Sequence, residues 1–223
     1  GAIALARELG GPYALAVLGS GVAEIAESVR SFGASVVLVA DDPALAEPLA
    51  DRYAAVIAEA ARQWGASTVV GTSSTFTKDI LPRVAALLDA PMLSDVVALE
   101  VKDGSVCYQR PISAGSLCAT LRLEGDVRVL TARGTAFQPP TPNGAPSAVE
   151  RIAINAAGLP SGAQFASREH PASTRPELTE ARVVVSGGRP LRDKETFERL
   201  IGGLADALGG AVGATRLNEV RLR

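Results

Sequence analysis

Histidine is nearly missing from this sequence: there is one, His170, set beside Glu169 and Pro171 in a proline-rich stretch. A lone histidine in such a place reads as a solvated side chain, and it excludes catalysis by paired histidines or a His-rich metal site. Cysteine is almost as scarce. Cys107 and Cys118 have no C-x-x-C spacing and no further partners, which excludes a disulfide framework and a structural zinc site. Their expected role is that of small buried hydrophobes. Basic charge is not in excess, since the formal net charge is -2, and nothing suggests a nucleic-acid partner. No window approaches the roughly 20 unbroken apolar residues of a bilayer span, and the first residues lack the regions of a signal peptide. A soluble, intracellular protein without membrane insertion is therefore expected.

What is present suits a globular α/β protein. With 223 residues, 47% of them hydrophobic, the chain can bury a substantial core in one large domain or one and a half ordinary ones. The opening "GAIALARELGG" reads as the last turns of a helix stopped by Gly10-Gly11, and an α/β domain seldom opens on such a half-helix. Residues 1–137 are thus expected to form an N-terminal α/β domain that lacks its first strand. Residues 13–18 are a short apolar run, residues 22–31 have helical spacing, and residues 35–39 are a β-branched run ending at the turn Asp41-Asp42-Pro43. Residues 51–64 carry alanines and Ile57 at helical spacing, "ASTVVG" follows as a strand, and "TSSTFTKDILPRVAALLDAP" is a strand-to-helix junction with a buried stripe of Ile80, Leu81, Val84, Leu87 and Leu88. Strands alternating with helices imply a mostly parallel sheet.

After Pro91 the pattern changes to strands joined by Asp103-Gly104 and Gly125-Asp126, pairs that favour tight hairpins, so an antiparallel extension is expected. Residues 138–180, with Pro139-Pro140 and five further prolines among Ala, Ser and Gly, read as a linker in which residues 148–155 are a candidate strand. Patterned sequence resumes at Ala181.

Two junctions carry chemical content. The hydroxyls of "TSSTFTK" can bind an anion at a helix N-terminus, or can simply cap that helix through Ser74, Thr75 or Thr77. Arg133-Gly134-Thr135 reads as a turn. In "ARVVVSGGRPLRDKETFERL" a β-branched run meets Ser186-Gly187-Gly188-Arg189 and then an amphipathic helix. Glycines allow close backbone approach, the helix start favours an anion, and Arg189 can fork onto phosphate oxygens. The same arrangement also occurs in folds that bind nothing. A pyridine-nucleotide site is disfavoured, because the longer G-x-G-x-x-G fingerprint with its acidic residue is missing.

Four segments in order, "TSSTFTKDILPRVAALLDAPMLSDV", "QRPISAGSLCATL", "ARGTAF" and "RPELTEARVVVSGGRPL", closely resemble the α subunit of electron transfer flavoprotein. The resemblance implies an N-terminal α/β domain followed, from residue 181, by the beginning of a Rossmann-like FAD-binding domain. It implies FAD as cofactor and a heterodimer with a β subunit. It also implies electron transfer from primary dehydrogenases, such as acyl-CoA or other flavin dehydrogenases, to a membrane quinone reductase. Location would be cytoplasmic, or the mitochondrial matrix in a eukaryote. Gly187, Gly188 and Arg189 correspond to the first cofactor loop, with Pro190 where the family has glycine. "GAVGATR" resembles the next FAD-contacting segment, usually V-G-A-S-R, so Thr215 and Arg216 become candidate flavin neighbours. Further on, "LNEVRLR" departs from the family's small-residue run, and the FAD domain is expected to be incomplete at Arg223. No catalytic acid, base or metal ligand is implied, because the subunit carries electrons and makes no substrate bond. The alternative is a flavin-free scaffold that binds a β-type partner.

Overall fold

A computed structural model of the chain describes residues 1–168, 174–178, 181–188, 190–191 and 193–214. Its contacts divide it into two compact units, Gly1–Ala166 and Ser167–Arg223. Both are α/β with parallel strand pairing, the class that the alternating pattern implies.

In the first unit α1 (Ala2–Leu9) buries Leu5 and stops at Gly10, whose φ of 76° suits glycine. It leads to β1 (Ala14–Gly19), α2 (Ala23–Ser28), β2 (Val36–Asp41), α3 (Ala50–Trp64), β3 (Thr68–Thr72), α4 (Thr75–Leu87) and β4 (Met92–Val96). The order of these elements follows the hydrophobic periodicity closely. A three-stranded antiparallel sheet comes next, made of β5 (Ala98–Lys102), β6 (Ser105–Ile112) and β7 (Leu117–Leu121). Asp103 and Gly104 turn β5 into β6 with φ of 51° and 72°, the left-handed pair that a two-residue hairpin requires.

The second hairpin expected from the sequence does not form. Strand β8 (Arg128–Ala132) follows Gly125-Asp126 but pairs with β3 on one side and β4 on the other, both in parallel. The reason is burial on both faces: Val129, Leu130, Thr131 and Ala132 have no exposed surface, so "VLTA" is a central parallel strand that no hairpin could bury. Strand β9 (Ala148–Arg151) lies within residues 138–180 and extends β2 in parallel. The segment before it is tied down as well. Ser147 Oγ donates to the Ala34 and Arg30 carbonyls, and Asn143 N–H donates to the Ser31 carbonyl.

The parallel strands thus form two groups, β1-β2-β9 and β3-β8-β4. Side-chain alternation places the helices on opposite faces. Val70 and Leu130 pack with Leu5 of α1, and Leu15, Val37 and Val39 pack with Val22 and Ala26 at the start of α2. Val69, Val129 and Ala40 point the other way, into a core with Tyr53, Ala54 and Val56 of α3 and Ile80, Leu81 and Val84 of α4. Helices on both faces of parallel strands define a doubly wound arrangement.

The second unit contains β10 (Val184–Gly187), a helical run made of α5 (Lys194–Phe197), a π-helical turn (Glu198–Gly202) and α6 (Gly203–Leu208), and β11 (Ala211–Ala214). Strands β10 and β11 are parallel, which makes the whole a βαβ unit. Gly209, at φ 61°, ends α6. Arg175, ahead of β10, forks onto Asp206 and pairs with Glu198 at 3.0 Å, fastening the preceding segment to the helical run.

Candidate functional site

The Ser186-Gly187-Gly188 turn stands where the sequence puts it, at the C-terminal end of a strand entering a helix. Its two glycines do different work. Gly187 is buried, and a Cβ there would lie 2.8 Å from both Phe197 Cε2 and Ile201 Cγ1 and nearer still to Leu191 Cδ1. Gly187 therefore lets the helical run pack against the strand. At Gly188 the nearest atom to an added Cβ is Pro190 Cδ, 3.8 Å away, so the backbone is open there. Of the two, Gly188 is the one that leaves room for a ligand to approach the main chain. The Leu191 N–H donates to the Gly188 carbonyl at 3.0 Å and closes the turn.

Asp193 starts the helical run by accepting from the Thr196 N–H at 2.7 Å and from its hydroxyl. Those bonds hold the Asp193 carboxyl below its ordinary range. Across the sheet, Gly187 and Ala214 are register partners, so the strand ends that lead into the two candidate segments are side by side. A Cβ on Gly213 would lie 2.6 Å from Ser186 Oγ, so the small residues of "GAVGA" are needed for strand contact. Arg189, Thr215, Arg216 and His170 lie outside the described residues.

The first unit holds a second polar cluster, built from the hydroxyls read from the sequence as an anion site or a helix cap and from the Arg133 turn. Ser74 accepts from the Thr77 N–H, and Thr77 Oγ1 accepts from the Ser74 N–H, a complete capping box on α4. Arg133, at the end of β8, forms a bidentate pair with Asp95 of β4. A register shift in β4 between Leu93 and Val96, with Asp95 at φ 65°, turns that carboxylate toward the arginine. The guanidinium holds the Asp95 carboxyl below its ordinary range. Buried Thr131 is satisfied by Ser73 Oγ at 2.9 Å and the Asp95 N–H at 2.7 Å. These partners satisfy one another, so the cluster fastens strand ends together. Its signals in the sequence are the hydroxyls of "TSSTFTK" and Arg133, the cation after a run of apolar residues. The cysteines differ from the buried role expected of them: Cys107 is half-buried and Cys118 exposed, because the antiparallel sheet is covered less than the parallel strands. Among the described residues no three His, Cys, Asp or Glu are grouped to hold a metal ion, and no helix is long and apolar enough to cross a membrane.

Residues 1–157 match the family profile described as the electron transfer flavoprotein domain, and residues 177–219 match that of the electron transfer flavoprotein FAD-binding domain. Fold and matches together define the class: a flavoprotein chain of α/β units whose second unit belongs to an FAD-binding domain. The chain is 40% identical over 215 residues to the electron transfer flavoprotein subunit alpha of Pseudomonas aeruginosa, covering 96% of this chain and 67% of the relative. It is 38% identical over 215 residues to the subunit alpha of Paracoccus denitrificans, covering 96% and 67%. To a protein of Caenorhabditis elegans named as a probable mitochondrial subunit alpha it is 37% identical over 216 residues, covering 96% and 63%. The chain belongs to the electron transfer flavoprotein α-subunit family, and it spans about two thirds of the length of these relatives.

Proposed function

We propose that this chain is the α-subunit part of an FAD-containing electron carrier. The carrier pairs with a β subunit, accepts electrons from primary dehydrogenases such as acyl-CoA dehydrogenases, and passes them to a membrane quinone reductase. The observation that carries this reading is the βαβ unit opening on an unobstructed Gly188, within residues that match an FAD-binding domain. Membership of a family of α subunits supports a partner chain. Bound FAD supplies the acceptance and release of electrons.

The chain's own residues would bind and orient that group. Gly188 leaves the main chain accessible, Arg189 offers a forked cation to a phosphate, and Gly187 keeps the turn seated on its helix. Thr215 offers a hydroxyl, and Arg216 a positive charge that favours added electron density nearby. No side chain is asked to move a substrate proton. A cytoplasmic or matrix location goes with this role.

The test is to co-express the full-length protein with its β-type partner, then add an acyl-CoA dehydrogenase and its substrate under anaerobic conditions. Bleaching of the flavin absorption in the heterodimer is expected. A coloured heterodimer that no primary dehydrogenase bleaches would refute the carrier role, and a colourless one would favour the flavin-free scaffold.

A further inference from the structure

Local rules do not favour the helical run that follows the Gly187-Gly188 turn. Gly202 and Gly203 stand in the middle of it, and glycine is the weakest helix former after proline. Residues Glu198–Gly202 form a π-helical turn, a geometry rare in helices and frequent at functional sites. Asp206 lies in the last turn, where a carboxylate meets the negative end of the helix. One side chain from outside the run accounts for all three.

That side chain is Arg175. Glu198, Gly202 and Asp206 recur every four residues and share one face of the run. Arg175 forks onto the Asp206 carboxylate at 2.7 and 3.0 Å and pairs with Glu198 at 3.0 Å. Between the two acids its guanidinium lies over Gly202: a Cβ there would come within 2.7 Å of Arg175 Nη2 and 2.6 Å of Glu198 Oε2. Gly202 is buried beneath it, while Gly203 beside it is exposed. A forked pair extended by a second carboxylate is the surface arrangement that best keeps its geometry. Its bonds hold the Asp206 carboxyl below its ordinary range.

The neighbouring face of the run carries the effect to the glycine turn. Phe197 and Ile201, again four apart, are side chains that a Cβ on Gly187 would meet at 2.8 Å. Ile201 adjoins Gly202 within the π-helical turn. The stretch of helix that Arg175 grips is thus the one on which Gly187 rests. Gly188 follows directly, its carbonyl accepting from the Leu191 N–H.

We propose that Arg175 is a positioning residue for the cofactor turn: by gripping Glu198 and Asp206 across Gly202 it fixes Phe197 and Ile201 against Gly187 and so sets the backbone at Gly188. This role rests on the reading of Gly188 as the point where FAD approaches the main chain. Arg175 acts through the helix, as a support behind the residues that meet the ligand.

The test uses the full-length protein with its β-type partner. Hydrogen exchange of the Leu191 amide in the flavin-depleted heterodimer reports the turn itself, and the rate of FAD release from the loaded form reports its grip on the cofactor. Arg175→Gln is expected to speed Leu191 exchange about fivefold or more, while the β11 amides stay within about twofold. FAD release should quicken about threefold or more. Gly202→Ala is the sharper variant, because its methyl displaces the Arg175 guanidinium and the Glu198 carboxylate while improving helix propensity. It should loosen Leu191 and FAD by similar factors with an unchanged or raised urea midpoint, which a bond serving stability alone would not do. The two changes combined should add little to either, since both remove the same grip. Unchanged Leu191 exchange or unchanged FAD release in Gly202→Ala would overturn the inference, as would a uniform rise in exchange across the second unit in Arg175→Gln. A wild-type heterodimer that takes up no FAD would refute the reading of Gly188 and this role together, whereas unaffected variants of a yellow heterodimer refute the role of Arg175 alone.

Discussion

Gly187 and Gly188 are adjacent and chemically identical, yet their surroundings separate them. An added methyl at Gly187 would press on Phe197 and Ile201. Gly187→Ala is therefore expected to cost about 1–3 kcal/mol by overpacking, read as a lower urea midpoint. Gly188→Ala meets nothing closer than 3.8 Å and is expected to leave stability within about 0.5 kcal/mol while weakening FAD retention in the heterodimer. Arg189→Ala removes a charge-assisted contact of about 1.5–3 kcal/mol. It should weaken FAD about tenfold to a hundredfold without unfolding the protein, measured by FAD dissociation. Asp95 supports a different expectation. Its folded-state pKa lies below the unfolded value, so its pairing with Arg133 stabilises the fold at pH above the unfolded value and is lost as pH falls through the folded one. Asp95→Asn should then cost about 1 kcal/mol near neutral pH. The cost should shrink as pH falls from the ordinary carboxylate range through the lowered folded-state value. Urea titrations across that range check this. The glycine turn was legible because Gly-Gly after a β-branched run is a local signal. The Asp95–Arg133 pair was not, since its partners are 38 residues apart and meet only after β4 is displaced by its register shift.

At the level of elements, helices α1, α3 and α4 and the hairpin at Asp103-Gly104 follow from periodicity, glycine stops and turn chemistry, all local causes. Strand β8 shows where local causes end. Its neighbouring Gly125-Asp126 is a sound turn signal, but the partners of a strand are set by burial on both faces, and these come from far along the chain. For β9 the strand itself was legible within residues 148–155, but its partner β2 was not, because its four exposed residues carry no mark of which strand they join. Because β9 and the bonds of Asn143 and Ser147 fasten the segment up to residue 151 to the first unit, limited proteolysis is expected to cut first within residues 160–180, near the boundary at Ala166 and Ser167. Fragments mapped by mass spectrometry check this. A first cut within residues 69–88 or 145–152 would contradict it.

At the level of the whole molecule, composition and periodicity are enough for an α/β chain, while the cofactor and partner depend on ordered segments that resemble one family and on the residues that match its profiles. Proteins of identical composition could fold alike and carry nothing, because the site occupies only a few backbone positions. The full-length protein is expected to form a one-to-one complex with a β-type subunit. The most direct test of the account is the flavin content of that complex, measured by absorption and protein quantitation on the peak from sedimentation or gel filtration. One FAD per heterodimer, released on denaturation, is the expected result. A folded one-to-one heterodimer that contains no flavin after reconstitution with excess FAD would contradict the account.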